Sequence, residues 1–495
     1  MSAPPVATHA GPHVERMSRV DTAWLRMDTE ANLMMIVGVW LLEPRLALAE
    51  VRERIGLALL AYPRFRHKVV EDAIGASWVE DGTFDIARHV VAERLQVRAG
   101  EVPLQALKRR VAELAATPLP ADRPLWEFRL VENLDGERSA LVSRIHHCIG
   151  DGIALISVML SIADGGKPPP RRQPREVHDT HHADDPADWL ARAVLEPFTD
   201  LSIKAIGLTG QGLGKGLELM SMPGGPVAGT VAGSLEAARV GYQVVHDVAA
   251  LALMPDDSHT RLKGKARPGK RVAWGEPLPL EEVKAVGKAF AVSINDVLLA
   301  AVAGAIGDYL RDKGDDPSGC EIRAMVPVNL RPLEEAYKLG NRFGLVPLVL
   351  PVGIANPIER LYAVHARMNE LKGSYQPLLA FAVLALSGLM VKPVQQAITD
   401  LFAKKATAVM TNVPGPKEPL RFCGRTVTQV MFWVPQSGDI GMGVSILSYA
   451  GGVQFGLITD ARMCPDPEAI IERFRPEFEK MLWLALMSPW PAVGP

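Results

Sequence analysis

The chain has 495 residues, 48% of them apolar and 22% charged, with a formal net charge of −2. That composition is globular, the length exceeds one ordinary core, and the balanced charge argues against a global nucleic-acid footprint. Four widely spaced cysteines (Cys148, Cys320, Cys423, Cys464) form no CxxC pair, so they suit a reducing compartment and supply no zinc framework.

Residues 1–13 are rich in Ala and Pro, read as a disordered N-terminus, and show no secretory signal. Strands and helices alternate from 14 to 165, predicting a first domain. Residues 33–42 read as a strand, 46–61 and 104–116 as helices, and 126–131 and 140–146 as two strands joined by the turn Asn133-Leu-Asp-Gly136. Residues 166–270 read as a linker with crossing helices: a Pro-, Arg- and His-rich stretch, then helical patterns at 188–221 and 235–254. Its cluster His178, His181, His182, Asp184, Asp185 mimics a metal site, but a polar linker cannot fix ligand geometry, so no metal is expected.

A second domain is predicted over 271–495. Helices are expected at 279–288, opened by proline in its first turn, and at 293–306, with a Ser/Asn cap. Strands follow at 322–328, 345–352, 406–411 and 427–434. A hairpin is expected at 442–458 around Ala450-Gly-Gly452, and a last helix over 467–486. The longest apolar run, 378–391, is fourteen residues. As a helix it reaches about 21 Å, short of a bilayer core of about 30 Å. It reads either as a buried helix or as one that faces lipid or lines a pocket.

The chemistry concentrates at Arg144-Ile-His146-His147-Cys148-Ile-Gly-Asp151-Gly152, where an apolar strand gives way to an apolar helix. A neutral imidazole there can take a proton from an alcohol, and a neighbouring thioester would turn that step into acyl transfer. Alternation along a strand turns His147 away from His146 and Cys148. Cys148 is therefore expected to be a packed thiol. Asp151 can cap the following helix or pair with an arginine across the fold. Gly152 permits close packing or an unusual backbone angle.

His146-His147-x-x-x-Asp151-Gly152 resembles the active-site motif of the CoA-dependent acyltransferase superfamily. The wider pattern resembles one branch, the bacterial wax ester synthase/acyl-CoA:diacylglycerol acyltransferases. The pattern comprises Pro63-Arg-Phe-Arg66, Pro124-Leu125-Trp126-Glu127, Asn295-Asp296, Val328-Asn-Leu-Arg331-Pro332, Gly340-Asn341, Thr411-Asn-Val-Pro-Gly-Pro416 and Ser448-Tyr449. It spans about residue 18 to 475. The superfamily's DFGWG element is absent, as is general in this branch.

The resemblance implies an α/β, two-domain, chloramphenicol acetyltransferase-like fold with an interdomain tunnel. It also implies O-acyl transfer from long-chain acyl-CoA, a co-substrate and not a bound cofactor, to diacylglycerol or a long-chain alcohol. His147 is then the general base, with His146, Asp151, Gly152, Asn295 and Asp296 in the catalytic set. Asn295 is the expected oxyanion donor or, alternatively, a plain helix cap. Pro124, Leu125 and Trp126 are expected near the acyl entrance, Trp126 being equally readable as core. Arg331 is expected to pair with Asp151. The expected setting is cytoplasmic, peripheral to the inner membrane or lipid droplets, with no nucleic-acid partner. Rival readings are an acyltransferase using carrier-protein donors or other alcohols, a silent lipid-binding protein, and a hydrolase.

Overall fold

The computed structural model describes residues 14–72, 75–166, 254–331, 338–372, 376–387 and 392–487. The expected crossing helices at 188–221 and 235–254 and the histidine cluster at 178–182 lie outside them.

The first half runs β1 (Val14–Arg16), α1 (Arg19–Arg26), β2 (Met35–Glu43), α2 (Leu48–Ala58), β3 (His67–Asp72), β4 (Gly75–Glu80), β5 (Val90–Glu93), α3 (Pro103–Ala115), β6 (Trp126–Val131), β7 (Ser139–His146) and α4 (Gly152–Ile162). The second runs β8 (Lys270–Trp274), β9 (Leu278–Pro279), α5 (Leu280–Ala289), α6 (Ile294–Asp312), β10 (Ile322–Asn329), β11 (Phe343–Leu350), α7 (Pro357–Lys372), α8 (Gln376–Ser387), α9 (Lys392–Lys404), β12 (Ala408–Pro414), β13 (Arg421–Phe422), β14 (Arg425–Trp433), β15 (Met442–Tyr449), β16 (Gly452–Asp460) and α10 (Glu468–Met487).

Two large sheets carry the molecule. One has the strand order β11-β10-β12-β15-β16-β8, with β9 also on β16; the other has the order β13-β14-β2-β7-β6-β5. β1, β4 and β3 make a small third sheet. Most of the second half of the chain builds the first of these sheets. β13 and β14 instead cross over, and β14 pairs antiparallel with β2 from Thr426–Glu43 to Trp433–Val37. The expectation that 427–434 belongs wholly to the second domain is corrected here: this strand completes the sheet of the first half.

α6 is the centre of the second half. Its residues from Asp296 to Gly307 are all buried, the signature of a helix apolar on every side. With α5 it makes an apolar pair bent by 100°, and no single described helix is long and apolar enough to cross a membrane. Pro279 caps α5 instead of opening its first turn.

β7 is buried at every residue, because it lies inside its sheet between β2 and β6. α8, the described part of the 378–391 run, packs on β11 and α1. Leu379 and Phe381 are buried there, Phe381 in a cluster with Val20, Trp24, Met34 and Phe343. The close approach needs Gly344, where a Cβ would stand 1.8 Å from the Pro377 carbonyl oxygen. Of the side chains described in this run, Leu379, Phe381 and Ser387 are buried and Ala380, Val383 and Leu384 are half-buried.

Candidate active site

β7 ends at His146, and the chain turns through Cys148–Gly150 before Asp151 caps α4. His147 is held there from both sides. Its N–H donates to the Met34 carbonyl at 2.7 Å, and its own carbonyl accepts from Asn341 Nδ2 at 2.7 Å. The ring stacks on Trp24 at 4.2 Å between centroids and meets Phe343 at 5.5 Å. Nδ1 is sealed from solvent without a hydrogen-bond partner. Burial pushes the ring's pKa down to about 4, opposed by the Asn341 side chain and by its own backbone. That lies below the value of about 6.5 for a free imidazole, and the ring is neutral at physiological pH.

His147 lines a cavity of about 360 Å³ between the two halves. The first turn of α4 (Gly152, Ile153) and the first turn of α6 (Asn295) open onto it. Most of its apolar lining comes from the second half, including Leu299, Val326, Leu345, Leu348, Met368 and Met410. Two helix N-termini therefore face one space, each contributing partial positive charge to a largely apolar surround.

The Asp151 region is a buried clamp. Asp151 Oδ1 accepts from Ala154 N at 2.9 Å, while Oδ2 accepts from Arg342 N at 3.0 Å and Arg331 Nη2 at 3.2 Å. Arg331 also donates to the Gly340 carbonyl at 2.7 Å. Gly340 (φ 110°) bridges to Gly150, its N–H reaching the Ile149 carbonyl at 3.1 Å. The expected Arg331–Asp151 ion pair is present, and Asp151 is both cap and partner. Gly152 needs neither close packing nor a positive φ; a Cβ there would meet nothing within 4 Å. Its missing side chain leaves room in the cavity.

Asn295 is not the cap of α6. Ser293 is: its Oγ accepts from Asp296 N at 3.2 Å, and Asp296 Oδ2 accepts from Ser293 N at 2.8 Å. Asp296 is fully buried and also meets His365 Nδ1 at 2.7 Å; it holds the turn and does not line the cavity. Asn295 is left to face the cavity, its Oδ1 accepting from Asn412 Nδ2 at 3.0 Å.

His146 does not line the cavity either. Its Nδ1 accepts the Cys148 amide at 3.1 Å and its Nε2 meets Asp28 Oδ2 at 3.3 Å. Burial lowers its pKa, but Cys148 and Asp28 outweigh burial and push it up to about 10. His146 thus braces the turn that presents its neighbour.

Pro124, Leu125 and Trp126 are all buried. None lines the cavity. Trp126 lies in the core of the first half, stacked on His89 at 4.3 Å, with its indole N–H donating to the Phe65 carbonyl at 2.8 Å. Leu125 contributes a carbonyl, which accepts from His146 N at 2.9 Å. An aromatic beside a strand start satisfies its polar edge by burial against a carbonyl, and here that carbonyl is in the core.

Sequence reading missed Asp21, Trp24 and Asp28. Asp21 is buried and accepts from Asn341 N at 3.0 Å, Asn341 Nδ2 at 2.8 Å and Arg64 Nη1 at 3.3 Å. Burial pushes its carboxyl pKa up, against the pull of Arg64 and these hydrogen bonds. Ser18, Asp21 and an amphipathic first helix were the only local signal, and that signal reads as ordinary capping.

Comparison with known proteins adds to this geometry. The sequence profile of the wax ester synthase/diacylglycerol acyltransferase catalytic domain matches residues 17–298, and that of the WS/DGAT C-terminal domain matches residues 339–482. The chain belongs to this family. It is an acyltransferase. A Mycobacterium tuberculosis protein named as a probable diacylglycerol O-acyltransferase is 28% identical over 393 residues, covering 79% of this chain and 77% of its own. Another from that organism, also named as a diacylglycerol O-acyltransferase, is 27% identical over 483 residues, covering 94% and 99%. Among solved structures, the wax ester synthase/diacylglycerol acyltransferase of Marinobacter aquaeolei VT8 superposes with a TM-score of 0.63 at 19% identity, over 95% of this acyltransferase and 100% of that chain. The first condensation domain of the calcium-dependent antibiotic synthetase gives 0.54 at 15% identity, over 96% and 97%. The expected fold is therefore the fold of this acyltransferase.

Proposed function

We propose that this acyltransferase moves a long-chain acyl group from acyl-CoA to the hydroxyl of diacylglycerol or a long-chain alcohol, with His147 as general base. The observation that carries this reading is a neutral imidazole on an apolar interdomain cavity, with Nδ1 sealed and Asn295 on the same cavity. His147 Nε2 takes the hydroxyl proton as the oxygen attacks the thioester carbonyl. The negative charge that forms on the carbonyl oxygen is met by the Asn295 amide and the first turns of α4 and α6. The C–S bond then breaks, and the proton on His147 passes to the departing thiolate. No acyl-enzyme forms, and Cys148, buried behind the turn, takes no part.

The test uses purified protein with palmitoyl-CoA and either hexadecanol or dipalmitoylglycerol, measuring free thiol and ester. His147→Ala should lower ester formation by about 10²–10⁴-fold, the usual weight of a positioned base. Ester formation at the wild-type rate by that variant would sink the reading. Thiol release without ester would instead identify a hydrolase, and no release at all a silent binder. Both acceptors dissolve in lipid, so we place the protein peripherally on the cytoplasmic face of the inner membrane or on lipid droplets. Exposed Trp483, Leu486 and Met487 at the end of α10 suit such a surface. Flotation with liposomes checks this: wild type should float, and Trp483→Asp should float less.

A further inference from the structure

We infer that Asn412 is a positioning residue that sets which end of the Asn295 carboxamide faces the reacting carbonyl. This rests on the reading of Asn295 as the oxyanion donor. A carboxamide has one end that donates and one that accepts, nearly identical in shape. Only the NH2 end stabilises a forming oxyanion; the carbonyl end repels it. Asn295 therefore needs a device that chooses between two orientations related by a half-turn.

The Ser293–Asp296 capping box fixes the backbone of that turn but touches no atom of the Asn295 side chain. Asn412 does. Its Nδ2 donates to Asn295 Oδ1 at 3.0 Å, which occupies the accepting end and leaves the donating end for the cavity that both residues line. The backbone that carries this donor is held in the sheet. Asn412 sits in β12, paired with β15 at Ile446. Two residues on, the strand ends in Pro414-Gly415-Pro416, with Gly415 N donating to the Ser448 carbonyl at 2.8 Å. A Cβ on Gly415 would collide with that same carbonyl oxygen, so only glycine fits this close approach. A donor from the sheet thus fixes an acceptor on a helix 117 residues away.

Three substitutions test this in the full chain. Asn412→Ala frees the Asn295 side chain to turn, and kcat should fall about 3–10-fold with KM little changed. Asn412→Asp replaces the donor by a group that only accepts. It draws the Asn295 NH2 toward itself and turns the carbonyl to the cavity, so kcat should fall further, by about 10²-fold or more, the scale of a lost oxyanion donor. Asn295→Ala should lose about 10²-fold alone, and adding Asn412→Ala to it should cost nothing more, because the two act through one hydrogen bond. Affinity for a non-reactive acyl-CoA thioether, which lacks the carbonyl, should match wild type in every variant and shows that the cleft is intact. If Asn412→Asp is no worse than Asn412→Ala, or if the losses at 295 and 412 simply multiply, the inference is overturned. If Asn295→Ala keeps the wild-type kcat, the oxyanion assignment falls and takes this inference with it.

Discussion

The chemistry of the site rests on a few side chains whose settings can be probed one at a time. His147 is buried with its pKa pushed down to about 4, so it stays in the proton-accepting form far below the usual histidine range. The expected kcat/KM is flat from roughly pH 8 to pH 5 and falls with decreasing pH only near about 4, where the folded ring gains its proton. A titration of activity with a midpoint near 6.5 would contradict this. The sign for stability follows from the same shift. Between the unfolded value of about 6.5 and the folded value of about 4, the unfolded chain binds a proton that the folded one refuses, so stability falls as pH drops through that window. His147→Asn should lose less stability than wild type between those pH values, as read by urea unfolding. Asp151 gives a different kind of test. Arg331→Ala would strand a buried carboxylate, at a cost of about 3–5 kcal/mol, and lower the thermal midpoint. Asp151→Asn keeps an oxygen for the Ala154 amide and should cost less.

At the scale of elements, Gly152 and Gly344 make opposite predictions. A Cβ on Gly152 meets no protein atom, so Gly152→Leu should leave the melting temperature nearly unchanged while raising KM by filling the cavity. A Cβ on Gly344 collides with the Pro377 carbonyl, so Gly344→Ala should displace α8 and lower stability, seen as faster backbone hydrogen exchange in β11. Much of this level was legible beforehand. β6 and β15 fall at the residues expected, and β7, α3, α4 and α10 within one or two, because each is apolar with clear punctuation at its ends. β3 and β4 were not seen: His67-Lys-Val-Val-Glu-Asp72 is short and charged, with no buried residue. α7 and α9 were also passed over, since charged residues interrupt their apolar spacing. Of the site, the motif residues were legible and the contacts that arrange them were not. Asp21 meets Asn341 across 320 positions, and Trp24 stacks on His147 from a helix with no local sign of the site. Trp126 was open between entrance and core for a related reason: it stands at the start of a strand beside the site's own strand, and only the contacts show that its ring faces the core.

Among the described residues, the two large sheets are sewn together by a returning segment. β14 leaves the second half, pairs with β2 along seven residue pairs, and returns as β15. The sheet of the first half is therefore incomplete without the last third of the chain. A fragment ending at residue 331 would expose the outer rim of β2, a run of Val, Trp and Leu with unpaired backbone groups, and should aggregate when expressed alone. Co-expression with residues 338–495 should recover soluble material if the crossover can form between separate chains. During synthesis the same arrangement imposes a wait. β2 emerges from the ribosome early, whereas its partner from Arg425 onward is translated roughly 20–80 s later at ordinary elongation speeds. For that interval the nascent chain carries a sticky, half-dressed surface, so demand for chaperone holding should peak well before translation ends and fall once residue 433 clears the exit tunnel.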